Sequence, residues 1–182
     1  MGGRKFYLFL SIVLVSGLPL SSARAASKEA IDLGVRETLE AFNKTVNGGA
    51  ALVEKARGVL VFPSVKKAGL GIGGEYGQGA LLIKGKTVAY YSTVAASIGF
   101  QFGVQARKEV ILFLNDEALQ KFRLSDGWEA GVDGSIAVIT VGAGGEIDTT
   151  ELNEPVMGFI FGSKGLMINL SLEGSKFSKI KE

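Results

Sequence analysis

The chain has 182 residues, 47% of them apolar, with 26 glycines and 3 prolines. That length suits one domain, and the apolar content excludes a disordered or collagen-like chain. It contains neither histidine nor cysteine. This removes Ser-His-Asp and Cys-His catalysis, disulfides, a lipidated cysteine anchor and the usual His/Cys sites for zinc or copper.

Arg4 and Lys5 precede an apolar run from Phe6 to Val15, and Ala23-Arg24-Ala25 follows. This is the pattern of a cleaved signal peptide over residues 1–25, with a mature chain from Ala26 and a periplasmic or cell-envelope destination. Loss of Arg4, Lys5 and Arg24 with the leader takes the formal charge from +2 to −1. A mature chain that is not basic lacks the electrostatic footprint of a nucleic-acid binder. The remaining charge is segregated: residues 55–108 carry +7 and residues 109–154 carry −8. Either the two segments neutralise one another or the protein has one basic and one acidic surface.

Ile31, Val35, Leu39, Phe42 and Val46 form one stripe and predict an amphipathic helix over 27–46 with Ser27 as N-cap. Its polar face is slightly acidic, which favours packing on its own domain over a membrane surface. A second short helix is expected at 50–57, with Gly58 just past its end.

The period then changes to two. Val59–Phe62 reads as a strand stopping before Pro63. Leu70 and Ile72 alternate with Gly69, Gly71 and Gly73, an apolar face backed by a bare one that admits a close backbone. Ala80–Ile83 and Thr87–Thr93 flank a Lys84-Gly85-Lys86 turn. Ile98, Phe100, Phe102 and Val104 alternate with small or polar residues. The unbroken apolar run Val110–Leu114 predicts a strand buried on both faces.

Asn115 caps a helix to about Leu124, with Leu119 and Phe122 inward. Strands are expected at 136–141, 156–161 and 166–172, an acidic loop at 142–154 and a frayed basic tail from Lys176. The predicted fold is α+β. N-terminal helices precede a large curved, Gly-rich antiparallel sheet or barrel-like core with one inserted helix, and residues 26–182 make one domain.

Three motif matches fail on context. Gly69-x-Gly71-x-x-Gly74 lacks the helix that a dinucleotide fingerprint requires after it. Gly85-Lys86-Thr87 resembles a P-loop end, but Ala80 stands where the first glycine belongs and Leu81-Leu82-Ile83 suits a strand. Ser64-x-x-Lys67 has the spacing of penicillin-recognising enzymes without their accompanying tripeptides. Glu146, Asp148, Glu151 and Glu154 lack calcium-loop spacing and read as a solvated acidic loop. The expectation is therefore a non-enzyme with no metal site and no cofactor. What remains is a cationic set near strand ends: Lys66, Lys67, Lys84, Lys86, Arg107 and Lys108. Exposed together on a barrel rim, they are candidates to hold anionic phospholipid headgroups.

Gly58-Val59-Leu60-Val61-Phe62-Pro63, followed by Lys66-Lys67-Ala68-Gly69 and by Gly71, Gly73, Gly74, Tyr76, Gly77 and Gly79, resembles the signature of the SYLF-domain family. Ala56, Gly99-x-x-x-Gly103 and Ala118-Leu119-x-x-Phe122 extend the resemblance over roughly 28–172. It implies a binding domain. Eukaryotic members bind phosphoinositides and membranes, and fungal ones bundle actin; bacterial members are small exported or lipoprotein forms. With a signal peptide and no basic helix face, this chain resembles the bacterial type. The transfer it implies is anionic phospholipid or a membrane surface, with actin not the expected partner. Alternating strands also suit a second reading, a small outer-membrane β-barrel or barrel-associated structural protein, although the charged chain end and missing aromatic girdles do not.

Overall fold

The computed structural model describes residues 27–99, 105–140, 154–162 and 171–181. The leader, Phe100, Phe102 and Val104, the acidic loop up to residue 153, and most of the strand expected at 166–172 lie outside them. The described elements are α1 (Lys28–Thr45), α2 (Gly49–Lys55), β1 (Gly58–Ile83), β2 (Lys86–Gly99), β3 (Gln105–Phe113), α3 (Asp116–Leu124), β4 (Trp128–Glu129), β5 (Ala137–Thr140), β6 (Val156–Phe161) and β7 (Lys176–Lys179). One sheet holds all the described strands in the order β4-β7-β2-β1-β3-β6-β5.

The sheet is mixed and curls into a half-barrel. Every pairing between the described strands is antiparallel except that of β5 with β6. Strand β1 doubles back within its length. In a straight strand Val61 and Gly79 would stand roughly 60 Å apart. Instead, a Cβ built on Gly79 would strike the Val61 carbonyl oxygen, and one on Gly77 would lie 3.0 Å from the Ser64 carbonyl oxygen. The arm 58–67 pairs with β3 and the arm 71–83 pairs with β2, so the sheet is effectively eight-stranded. The close backbone approach is thus at Gly77 and Gly79, further along β1 than the Gly69, Gly71 and Gly73 face where the sequence led to expect it.

Each face of this sheet carries a core of its own. Leu60, Phe62, Leu81, Tyr91, Ile111, Phe113 and Ile160 face the concave side with Phe122 of α3, Trp128 and Phe177. Val59, Val61, Ala80, Leu82, Val110, Leu112 and Phe159 face the convex side, beneath Ile31, Val35 and Phe42 of α1. Alternation along β1 and β3 sends neighbouring residues to opposite cores. This is why Val110–Leu114 reads as an unbroken apolar run. The helical stripe packs on its own domain as expected, and Phe42 meets Phe159 edge-on with ring centroids 4.9 Å apart. Burying each such side chain contributes about 1.5–3 kcal/mol.

Side-chain caps set two helix starts as the sequence indicates. Ser27 accepts from the Ala30 N–H, and Asn115 from the Ala118 N–H. Across the sheet, α1 is pinned at its first turns, where Thr87 and Tyr90 of β2 donate to the two Asp32 carboxylate oxygens at 2.9 Å. Gly34 crosses at Pro63, where a Cβ would come within 2.9 Å of the proline ring.

Four expectations are corrected. Gly58 opens β1 rather than following α2, and it is bare because Leu119 fills its Cβ position at 2.6 Å. The strand runs through Pro63 because the register shifts between Phe62 and Val65, and an irregularity spares the missing N–H. The tail is not frayed: Lys176–Lys179 forms β7 between β2 and β4, held by Phe177 at 1% exposure. The apolar alternation at Ile72 does not face a core, since Ile72 is 81% exposed.

Candidate functional site

The cationic set does not form one rim. Moving from Gly77 to Gly79 along β1 is moving from Ser64 toward Val61 on its other arm. The Lys84-Gly85 turn therefore lies at the Gly58 end of the sheet, and Lys66, Lys67, Arg107 and Lys108 lie at the opposite end. Lys84 and Lys86 are exposed at that turn, whose central residues both have positive φ, 50° at Lys84 and 73° at Gly85. This is the geometry of a tight hairpin, and it leaves no phosphate-cradling loop around Lys86. Ser64 and Lys67 are likewise both strand residues, and the Gly69–Gly74 stretch lies within β1 with no helix after it.

At the opposite end a buried charge cluster forms on the concave side. Arg107 donates through Nη2 to Glu75 Oε2 at 2.7 Å and through Nε to Glu109 Oε1 at 2.7 Å. Lys67 Nζ stands 3.6 Å from Glu75 Oε1. Arg107, Glu75 and Glu109 are buried and Lys67 is half-buried. Arg107 is thus not a surface cation as expected; its Nε and Nη2 are each engaged by a carboxylate. Part of the neutralisation comes from Glu75, inside the basic segment itself, and part from Glu109, the first acid of the acidic one.

Sequence reasoning missed Glu75 and Glu109 as partners. One signal was there: residues 107 and 109 are two apart on a strand and must share a face. Glu109 is the least comfortable member. Its Oε2 is buried with no hydrogen-bond partner. Burial pushes its carboxyl above the usual range, against the pull of Arg107 and with the help of the Glu75 charge.

The lysines that remain available are Lys66, exposed, and Lys108, half-buried. Their neighbours Val65, Arg107 and Glu109 are concave, so alternation turns Lys66 and Lys108 to the convex face. Among the described residues neither forms an ion pair. No group of His, Cys, Asp or Glu with metal-holding geometry occurs among the described residues.

These features define a class: a helix-covered α+β half-barrel with a neutralised polar end and a cationic patch beside it. Residues 94–182 match the family model described as Ysc84, Las17-binding protein actin regulator. That match, over the second half of the chain, is consistent with a SYLF-domain family. The match includes the 99–103 glycine pair, β3 and the Ala118–Phe122 helix, and it begins beyond the Phe-Pro and Gly-rich motif of β1. No curated protein matches the chain.

Proposed function

We propose that this protein is a non-enzymatic, exported envelope domain that binds anionic phospholipid at a membrane surface. The observation that carries the reading is the charge arrangement at one end of a lipid-binding-family fold. Glu75 and Glu109 neutralise Arg107 and draw in Lys67, while Lys66 and Lys108 lie on the opposite face with no carboxylate partner among the described residues. A cation near an anionic surface contributes on the order of 1 kcal/mol.

The transmembrane-barrel reading is weaker. Such a barrel turns its outer apolar band to lipid, whereas much of this sheet's convex face is covered by α1.

Vesicle co-sedimentation tests the proposal. The protein should bind vesicles containing phosphatidylglycerol and ignore pure phosphatidylcholine, more weakly as salt shortens the Debye length to about 8 Å. Replacing Lys66 and Lys108 together with Gln should cost about 2 kcal/mol at most. The same change at Lys84 and Lys86, at the other end of the sheet, should cost less. Equal affinity for both vesicle types would refute the proposal.

A further inference from the structure

The convex face is covered only in part. Helix α1 crosses it from Asp32 at β2, past Gly34 at Pro63, to Phe42 at β6. On the far side of that line lie Ile72 at 81%, Tyr76 at 50% and Val94 at 52% exposure. The three share one face. Glu75 turns to the concave cluster, and so does Gly77, whose Cβ position meets Val65 and Thr93. Ile72, Gly74 and Tyr76 must therefore point the other way. Val94 pairs directly with Tyr76, and Ala96, also exposed, pairs with Gly74.

Other exposed apolar side chains, such as Leu124 and Val132, are single residues on other elements of the kind every surface carries. A clustered strip built on paired strands is different, because such strips mark docking surfaces. Lys66 and Lys108 stand on the same face, on the neighbouring arm of β1 and on β3. Apolar side chains flanked by cations complement a bilayer, with its anionic headgroups over acyl chains. A tyrosine beside them suits the headgroup depth. A second copy docked symmetrically on this strip would instead bring the lysines of both copies together.

We propose that the face bearing Ile72, Tyr76 and Val94 inserts into the outer layer of an anionic membrane, with Lys66 and Lys108 at the headgroups. This rests on the membrane reading above and adds to it a defined inserting face. It makes binding partly apolar, so that a fraction should survive high salt.

The chain has no cysteine, so a single introduced thiol is a unique label. Protein purified from an exporting host, carrying Ile72→Cys or Val132→Cys with an environment-sensitive fluorophore, is mixed with phosphatidylcholine–phosphatidylglycerol vesicles. The label at 72 should shift to the blue and become shielded from an aqueous quencher, and the label at 132 should not. The double variant Ile72→Ser, Val94→Ser should keep the wild-type melting temperature and lose affinity on the order of tenfold or more. If the protein sediments with vesicles while the label at 72 stays in water, the inserting face is wrong and surface binding stands. If the label is shielded before lipid is added and the protein is a dimer, the face belongs to a second copy. If the wild type sediments with neither vesicle, the membrane reading falls and the inserting face with it.

Discussion

Arg107 and Lys66 are both cations at one end of the same sheet, yet their expected consequences are opposite. Arg107 is buried between two carboxylates at 2.7 Å. Arg107→Gln strands both acids in a low-dielectric site, and breaking such a pair costs about 3–5 kcal/mol. Lys66→Gln on the exposed face should change stability by no more than about 0.5 kcal/mol. Urea unfolding of the two variants measures the contrast; similar midpoints would contradict the buried cluster. Substituting the whole cationic set at once would confuse binding with folding, which is why the lipid test is confined to Lys66 and Lys108.

Glu109 carries a pH dependence of its own. Its carboxyl titrates above the ordinary 4.5 in the folded protein because burial penalises the charged form. A group that binds protons more tightly when folded stabilises the fold at low pH. That contribution is lost as pH rises above about 4.5. Glu109→Gln removes the titration. The drop in unfolding free energy from pH 5 to pH 7 should therefore be smaller in the variant than in the wild type. Identical pH profiles would mean that Glu109 titrates normally.

Among the strand elements, β1 depends on glycine for contact rather than for flexibility. The Gly79 Cβ position is occupied by the Val61 carbonyl and lies 2.7 Å from the Phe62 ring. Gly79→Val should cost at least about 1–3 kcal/mol through overpacking. At Gly74 the nearest atom is the Ala95 carbonyl oxygen at 3.8 Å, an ordinary contact, so Gly74→Ala should stay within about 0.5 kcal/mol. Thermal melts distinguish the two, and equal shifts would argue that the arms of β1 do not press together at Gly79.

For the whole molecule, the proposed destination rests on residues 1–25, whose basic start, apolar run and Ala23-x-Ala25 have the pattern of a processing signal. Protein accumulated by an exporting host should begin at Ala26 on N-terminal sequencing. An intact Met1 would point to an anchored or unexported form and would weaken the envelope assignment. Folding of the remaining chain does not need disulfides, because two cores on opposite faces of one sheet bury aromatic clusters such as Phe62, Phe122, Trp128 and Phe177.

Local signals in the sequence determined the helices, the Lys84-Gly85 hairpin and the doubly buried β3. Caps, turn residues and apolar period act over a few residues and show without the rest of the chain. The SYLF resemblance was legible for the same reason, as a short run of Phe-Pro and glycines. Tertiary structure alone decided that β1 folds back on itself and that the last residues form β7. Nothing within Lys176–Lys179 says that Phe177 will find a core built from Phe62, Phe122 and Trp128. It also decided which cations are available. Arg107 and Lys108 are adjacent in sequence, and strand alternation sends one to a buried pair of carboxylates and the other to the opposite face. Ile72 shows the same limit from the apolar side. Period two marks a shared face of a strand, but whether that face meets a core or solvent depends on where α1 crosses, a long-range fact that the local pattern does not contain.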